Sequence, residues 1–393
     1  MTVHYDVVVA GLGAMGSATA AHLALRGQRV LGLERWSPGH RFGSSHGDSR
    51  IIREMYFEHP MYVPLLRRAY ELWAELGKLA EAPLLHMTGG LMIGTREGML
   101  VTGTLRSARE HRLPYELLTA SEVSERFPAF ELREDLVAVY DPRAGYLDPE
   151  ACNAAHMEVA RANGAHLQFE EPVESWESFD DGVRISTSKS EYTANRMVLA
   201  VGARTSELTG AVDLPLEVER QAVFWFGPDG ETTRYDEPAF PIWAHEYEPG
   251  EICYGFPTLP RGVKASVMHS GEVVDDVDTV RREVTDQEVE PLRRALSGIL
   301  PALSRARVRE RDICLFTNTP DHDFVIGFHP DDPRVIVSSA CSGHGFKFAS
   351  VIGEIQADLA MSGQSKFDLT PFRIERFQTS QKEASNARNQ KHN

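Results

Sequence analysis

Cysteine is scarce in this chain, with four residues in 393: Cys152, Cys253, Cys314 and Cys341. None falls into a CxxC pair, so no zinc site is expected, and the set reads as reduced intracellular thiols. Long hydrophobic runs are also missing. No apolar stretch approaches the roughly 20 residues needed to span a bilayer. The N-terminus passes from Tyr5 straight into a strand-like run, without the basic flank or cleavage site of a signal peptide. The closing Lys391-His392-Asn393 is not a peroxisomal address. Positive charge is in deficit, at a formal net charge of -16. Such a surface repels nucleic-acid phosphates and anionic membranes, which leaves a small molecule as the expected partner. Together these absences point to a cytoplasmic enzyme. The balance of 42% hydrophobic and 25% charged residues is that of a globular protein, and the length allows about two domains. No internal repeat is present. The stretch from Thr379 onward is polar and without periodicity, so it reads as a mobile tail.

The first positive signal lies near the N-terminus. Val7-Val8-Val9-Ala10 is a short apolar run of the kind that forms a buried parallel strand. Gly11-Leu12-Gly13-Ala14-Met15-Gly16 follows, then an Ala-rich stretch to Arg26 that Gly27 stops. A second apolar run, Val30 to Leu33, ends at Glu34. Strand, glycine turn, helix, strand and acid in this order form a dinucleotide-binding unit. Gly11 allows the tight turn, Gly13 lets the backbone approach a pyrophosphate, Gly16 permits close packing, and Glu34 accepts a ribose hydroxyl. The unit alone does not separate FAD from NAD. A further buried strand ending in small residues, 196–203, returns far downstream as in flavoproteins, which favours FAD.

A second glycine-rich approach to a helix lies near the C-terminus. A strand over 335–340 is followed by Cys341-Ser342-Gly343-His344-Gly345-Phe346-Lys347-Phe348, and apolar positions at helical spacing then run from Ala349 to Met361, before Gly363. A helix N-terminus placed there favours the negative charge of a reduced flavin's pyrimidine ring. At this point the chain resembles the monomeric sarcosine oxidase and N-methyltryptophan oxidase family. The matching pieces are Gly47-Asp48-Ser49-Arg50-Ile51-Ile52-Arg53, Tyr254-Gly255-Phe256-Pro257 and the segment from Cys314 to Asp321. Ser342 to Ser350 and Phe367 to Arg373 complete the series, in the family's order and over nearly the whole chain.

The resemblance implies an α/β (α+β overall) fold in two domains. A discontinuous FAD-binding, Rossmann-like domain takes 1–85, 147–218 and 319–378. A substrate domain on a mainly antiparallel sheet takes 86–146 and 219–318, and 379–393 is the polar tail. It implies oxidation of a secondary amine, an N-methyl amino acid of the N-methyltryptophan or sarcosine kind. The product imine hydrolyses to amine plus aldehyde, O2 becomes hydrogen peroxide, no metal takes part, and the protein is a monomer. A dehydrogenase of the same fold that passes electrons to another acceptor is the alternative.

Residue by residue, the resemblance makes Arg53 and Lys347 the clamp for the substrate carboxylate, and Arg's planar fork suits that task. His46 and Arg50 lie against the flavin, while Tyr254 and His269 face the amine. Cys314 is the point of covalent FAD attachment, with Cys341 as competitor, and Gly343, Gly345 and Lys347 hold the cofactor. Taken singly, Arg53 or Lys347 reads as half of an ion pair, His46 as a solvated loop residue and Tyr254 as a strand aromatic. Lys264 is the candidate oxygen-activating residue. Its spacing to His269 is one residue off the family pattern, which a β-bulge between Ala265 and Met268 would restore. Phe316 stands where the family commonly has tyrosine, which implies a bulkier or more apolar amine than sarcosine.

Overall fold

The computed structural model describes residues 4–210, 212, 214–228 and 232–377. The tail expected from Thr379 lies outside the described residues. Two large sheets organise the chain. In the first, five strands run parallel in the order Asp332–Ser339, Glu191–Leu199, His4–Ala10, Val30–Leu33 and His166–Gln168. An antiparallel wing, Val173–Phe179 and Gly182–Thr187, joins the Glu191–Leu199 strand, and Val325–His329 pairs with Asp332–Ser339. Val7, Val8 and Val9 are buried on both faces, as a central parallel strand requires.

The second sheet has nine strands, drawn from Gly90–Thr95 through Leu136–Asp141 and from Glu217–Gly227 through Arg307–Asn318. It is mainly antiparallel, with one parallel pair, Ile242–Glu248 beside Gly90–Thr95. A small three-stranded sheet of Arg50–Ile52, Leu85–His86 and Gly145–Leu147 lies apart from both. The fold is therefore mixed α/β, with a parallel-centred sheet and a mainly antiparallel one. Among the described residues no helix is long and apolar enough to cross a membrane.

The bulge expected between Ala265 and Met268 lies elsewhere. Strand Gly262–Val267 keeps an even register with Glu217–Gly227, from Val263 opposite Phe226 to Ala265 opposite Phe224. The register slips instead on its other neighbour, between Gly255 and Thr258. His269 lies beyond the strand, in a turn at φ 51°. Strand parity therefore does not govern its direction, and the odd spacing to Lys264 is absorbed by the turn.

Helices cover the parallel sheet. Helix Ala14–Leu25 is buried along most of its length because its side chains are small, and helices Pro149–Ala162 and Ala349–Ser362 both pack on it. Helix Val63–Leu79 is amphipathic: Leu65, Leu66, Ala69, Tyr70, Trp73 and Leu76 face inward, and Pro64 opens its first turn. At the crossing of Ala14–Leu25 with Ala349–Ser362, a β-carbon on Gly353 would sit 2.6 Å from the Ala18 carbonyl carbon and methyl. Gly353→Ala is thus expected to cost about 1–3 kcal/mol, because overpacking outweighs the roughly 1 kcal/mol gained in helix propensity. A thermal melt at or above the wild-type midpoint would contradict this.

The same helices hold two neutral histidines, His22 half-buried and His156 buried. His22 shares a hydrogen bond with the Ser350 carbonyl at 3.0 Å, and His156 lies against Trp73. Burial pushes their pKa values down from 6.5, to about 4 and about 3. A histidine with a depressed folded pKa holds its stabilising effect above its unfolded value and loses it as the pH falls below that. Stability should decline as the pH drops from about 6.5 towards 4, and His156→Gln should flatten the decline in pH-dependent melts.

Candidate active site

The turn after the first strand is built to receive an anion. Gly11 has φ 85°, and a side chain there would strike the Ala200 carbonyl. Helix Ala14–Leu25 has Gly13 as its N-cap, so no cap side chain covers the amides of its first turn. The Ala14 amide donates to Ser45 Oγ at 3.2 Å. Glu34 accepts from the Leu12 amide at 2.8 Å and the Trp36 amide at 3.1 Å, which ties the two turns together. Gly16 packs its α-carbon against the Gly11 carbonyl, below the surface.

From this turn a cavity of about 800 Å³ runs towards the antiparallel sheet. Gly11, Gly13, Glu34, Arg50, Arg53, Tyr254, Cys314, Gly343, Gly345 and Lys347 all line it. The structure thus gathers residues from Gly11 to Lys347 along the sequence. Gly16, His46, Lys264 and His269 are not among the lining residues.

The middle of the cavity is controlled by the loop 43–50. Arg50 donates to the Ser44 carbonyl at 2.8 Å, the Ser49 carbonyl at 2.7 Å and Cys314 Sγ at 3.2 Å. Lys264 is 1% exposed and supports the loop from behind, donating to the carbonyls of Gly47 at 2.5 Å and Ser49 at 2.9 Å. Burial and the nearby Arg50 lower the Lys264 pKa to about 7. The Gly47 amide is in turn held by Glu150 at 2.5 Å.

The two candidate thiols behave oppositely. Burial raises the Cys314 thiol, but Arg50 and His46 outweigh it and bring its pKa to about 6. His46, buried beside it, rises to about 9: burial opposes the proton, while the thiolate and Asp312 hold it. Cys341 accepts the Thr317 amide at 3.4 Å, and burial keeps its pKa raised. Of the two, Cys314 is therefore the thiol drawn towards the thiolate.

At the far end sit two buried cations. Arg53 grips Glu58 with one nitrogen 2.7 Å from both carboxylate oxygens, and its guanidinium packs on Tyr56 and Phe57. Lys347 donates to the neutral His344 carbonyl at 2.6 Å, and burial followed by Arg53 lowers its pKa to about 7. Gly343 has φ 74° and approaches the His269 ring. His269 bonds Glu219 at 3.2 Å, so this pair borders the cavity from outside its wall. Tyr254 is raised to about 12 by burial and stays a phenol.

Sequence reading missed four acids here: Glu58, Glu150, Asp312 and Glu219. Glu58 follows Arg53 by five residues and Asp312 precedes Cys314 by two on one strand, so local patterning carried a signal for both. Glu150 and Glu219 reach their partners across the fold, 103 and 50 residues away.

The helix N-terminus without a cap side chain, the Glu34 bridge, the side-chain-free approach at Gly11 and the length of the cavity fit a dinucleotide with an extended ring system. The sequence profile of the FAD dependent oxidoreductase family matches residues 6–359. The chain belongs to that family. It is 43% identical over 367 residues to a monomeric sarcosine oxidase of Streptomyces avermitilis, covering 92% of this chain and 95% of the relative. It is 34% identical over 381 residues to an N-methyl-L-tryptophan oxidase of Escherichia coli, covering 95% and 100%. Among solved structures it resembles NikD, an amino acid oxidase essential for nikkomycin biosynthesis, with a TM-score of 0.82, 28% identity and coverage of 95% and 98%. An L-proline dehydrogenase from P. horikoshii shares the fold at a TM-score of 0.83 and 21% identity, covering 97% and 99%.

The grip of Glu58 on Arg53 generates a prediction. A carboxylate ligand entering this end must compete with Glu58 for the guanidinium. Glu58→Gln should tighten binding of a simple carboxylate such as benzoate by about tenfold, since a charged hydrogen bond contributes about 1.5–3 kcal/mol. The change is read by titrating the flavin absorption band, and weaker binding would contradict it.

Proposed function

We propose that this protein oxidises the C–N bond of a carboxylated secondary amine, an N-methyl amino acid with an apolar side chain, and that its FAD is attached through Cys314. The enzyme class is that of FAD-dependent oxidases acting on CH–NH donors. The observation that carries the substrate reading is the buried Arg53 and Lys347 pair, each 5% exposed, facing one cavity with a single carboxylate, Glu58, on Arg53. A buried cation without a full counter-charge is costly, and a substrate carboxylate supplies it. Phe57, Ala244, Ile252, Phe256, Met268 and Phe316 line the same cavity and offer an apolar wall to a side chain. Phe316 brings no hydroxyl to that wall.

On this reading Arg53 and Lys347 fix the carboxylate, and Tyr254 presents a phenol that stays protonated. Arg50 places fixed positive charge beside the cofactor position, which favours a reduced, anionic ring. FAD, when bound, supplies the two-electron acceptor for the substrate C–H. The released imine hydrolyses to amine and aldehyde, and O2 takes the electrons to give hydrogen peroxide. Lys264 is the oxygen-activating residue of this reading, acting next to the loop it supports. We assign 1–85, 147–218 and 319–378 to the FAD domain and 86–146 and 219–318 to the substrate domain, in a monomer working in the cytoplasm.

The test is anaerobic addition of sarcosine, N-methyltryptophan, proline and pipecolate to the purified flavoprotein. N-methyltryptophan should bleach the flavin band fastest, with colour and peroxide returning in air. Bleaching that air does not reverse would move the reading to a dehydrogenase, and no bleaching by any carboxylated amine would overturn it. Arg53→Met should raise the KM for the preferred amine by about 10- to 100-fold.

A further inference from the structure

We propose that Asp312 is a positioning residue for flavin attachment: it orients the His46 ring so that the ring holds the Cys314 sulfur as a thiolate at the cavity wall. This rests on the reading above that FAD is attached at Cys314. Asp312 and Cys314 lie two residues apart on strand Arg307–Asn318, so their side chains leave the same face. His46 lies across that face, with Nε2 4.0 Å from Cys314 Sγ and Nδ1 3.5 Å from Asp312 Oδ2. Carboxylate, imidazole and thiol thus lie in the order by which a base oriented by a third group activates a nucleophile, with Asp312 at ion-pair rather than hydrogen-bond distance from the ring.

The burial pattern assigns the roles. Cys314 lines the cavity, whereas His46 and Asp312 do not, so the carboxylate acts only through the ring. His46 is 1% exposed, and a charge there needs a partner inside the protein. Arg50 and Lys264 face the thiol, and His40 faces the imidazole. Arg41 and Arg282 face the carboxylate, and Arg41 is hydrogen-bonded to it. Tyr254 and Cys341 are the remaining titratable neighbours of Cys314. Arg50 and Lys264 favour the thiolate with or without Asp312. The carboxylate reinforces a charged imidazole on the thiolate's second side, adding to the pull of the thiolate itself against burial and Arg50.

In the attachment step the thiolate sulfur forms a bond to the carbon of the flavin 8-methyl group. One C–H bond of that carbon breaks, its proton passes to the ring and its electron pair reduces the ring. Dioxygen, already the oxidant of the proposed reaction, then takes the pair with two protons and leaves as hydrogen peroxide.

The experiment mixes flavin-free full-length protein with FAD and follows flavin that stays on the acid-denatured chain, between pH about 6 and 9. Asp312→Asn should bind FAD as the wild type does but attach it about tenfold more slowly at neutral pH, with the pH midpoint moved up by about one unit. Asp312→Glu, which keeps the charge, should recover most of the rate. Iodoacetamide alkylation of the flavin-free protein, with Cys314→Ala as the blank, should show the same upward shift. Unchanged rate and midpoint in Asp312→Asn would overturn the proposal. If the wild type attaches no flavin, the attachment reading fails, and the alkylation midpoint alone decides the role of Asp312: unshifted, it overturns that role as well.

Discussion

Arg50 is half-buried on the cavity wall, and its guanidinium is held where the loop 43–50 meets the antiparallel sheet. Its donors are taken by the Ser44 and Ser49 carbonyls of its own loop and by Cys314 on the antiparallel sheet. Lys264, reaching from the same sheet, donates to the Gly47 carbonyl and shares the Ser49 carbonyl with Arg50. Two cations are thus held by backbone dipoles, with Glu150 and Asp48 as nearby negative charge. Satisfying them fixes the loop 43–50, and the loop forms the middle of the cavity wall. The position of the cavity relative to both sheets follows from where these charges can be satisfied.

The same constraint explains the contrast between the two thiols. Both line the cavity, Cys314 buried and Cys341 half-buried, and burial by itself holds a thiol neutral. Only Cys314 has a guanidinium and an imidazole on it, and only Cys314 is drawn towards the thiolate. At the far end the logic recurs with Arg53 and Lys347, packed around the Tyr56 ring. There Glu58 pairs with Arg53, while burial and Arg53 lower the Lys347 pKa to about 7. Around it the cavity wall carries the apolar side chains of Phe57, Ile252, Phe256 and Met268.

The resemblance in sequence and the likeness in fold bear on different parts of this picture. Relatives at 34% and 43% identity span almost the whole chain and fix its family. Solved folds below 25% identity speak only for the architecture, which several chemistries share.

What the chain alone determined is local. The strand, glycine turn and helix at 4–25 are written in apolar runs, small residues and the φ demanded at Gly11, and the helix at Ala349–Ser362 in its periodicity and its left-handed stop at Gly363. The tertiary structure decided what those elements do to one another. The turn at His269 absorbed a spacing that strand parity had placed in a bulge, because a residue outside a ladder has no fixed face. Glu58, Asp312, Glu150 and Glu219 became part of the site only through burial next to opposite charge. An acid's sequence neighbours do not reveal whether it will be stripped of water. That depends on which distant strands and helices close over it, and the energy of a charge depends on that closure more than on its identity.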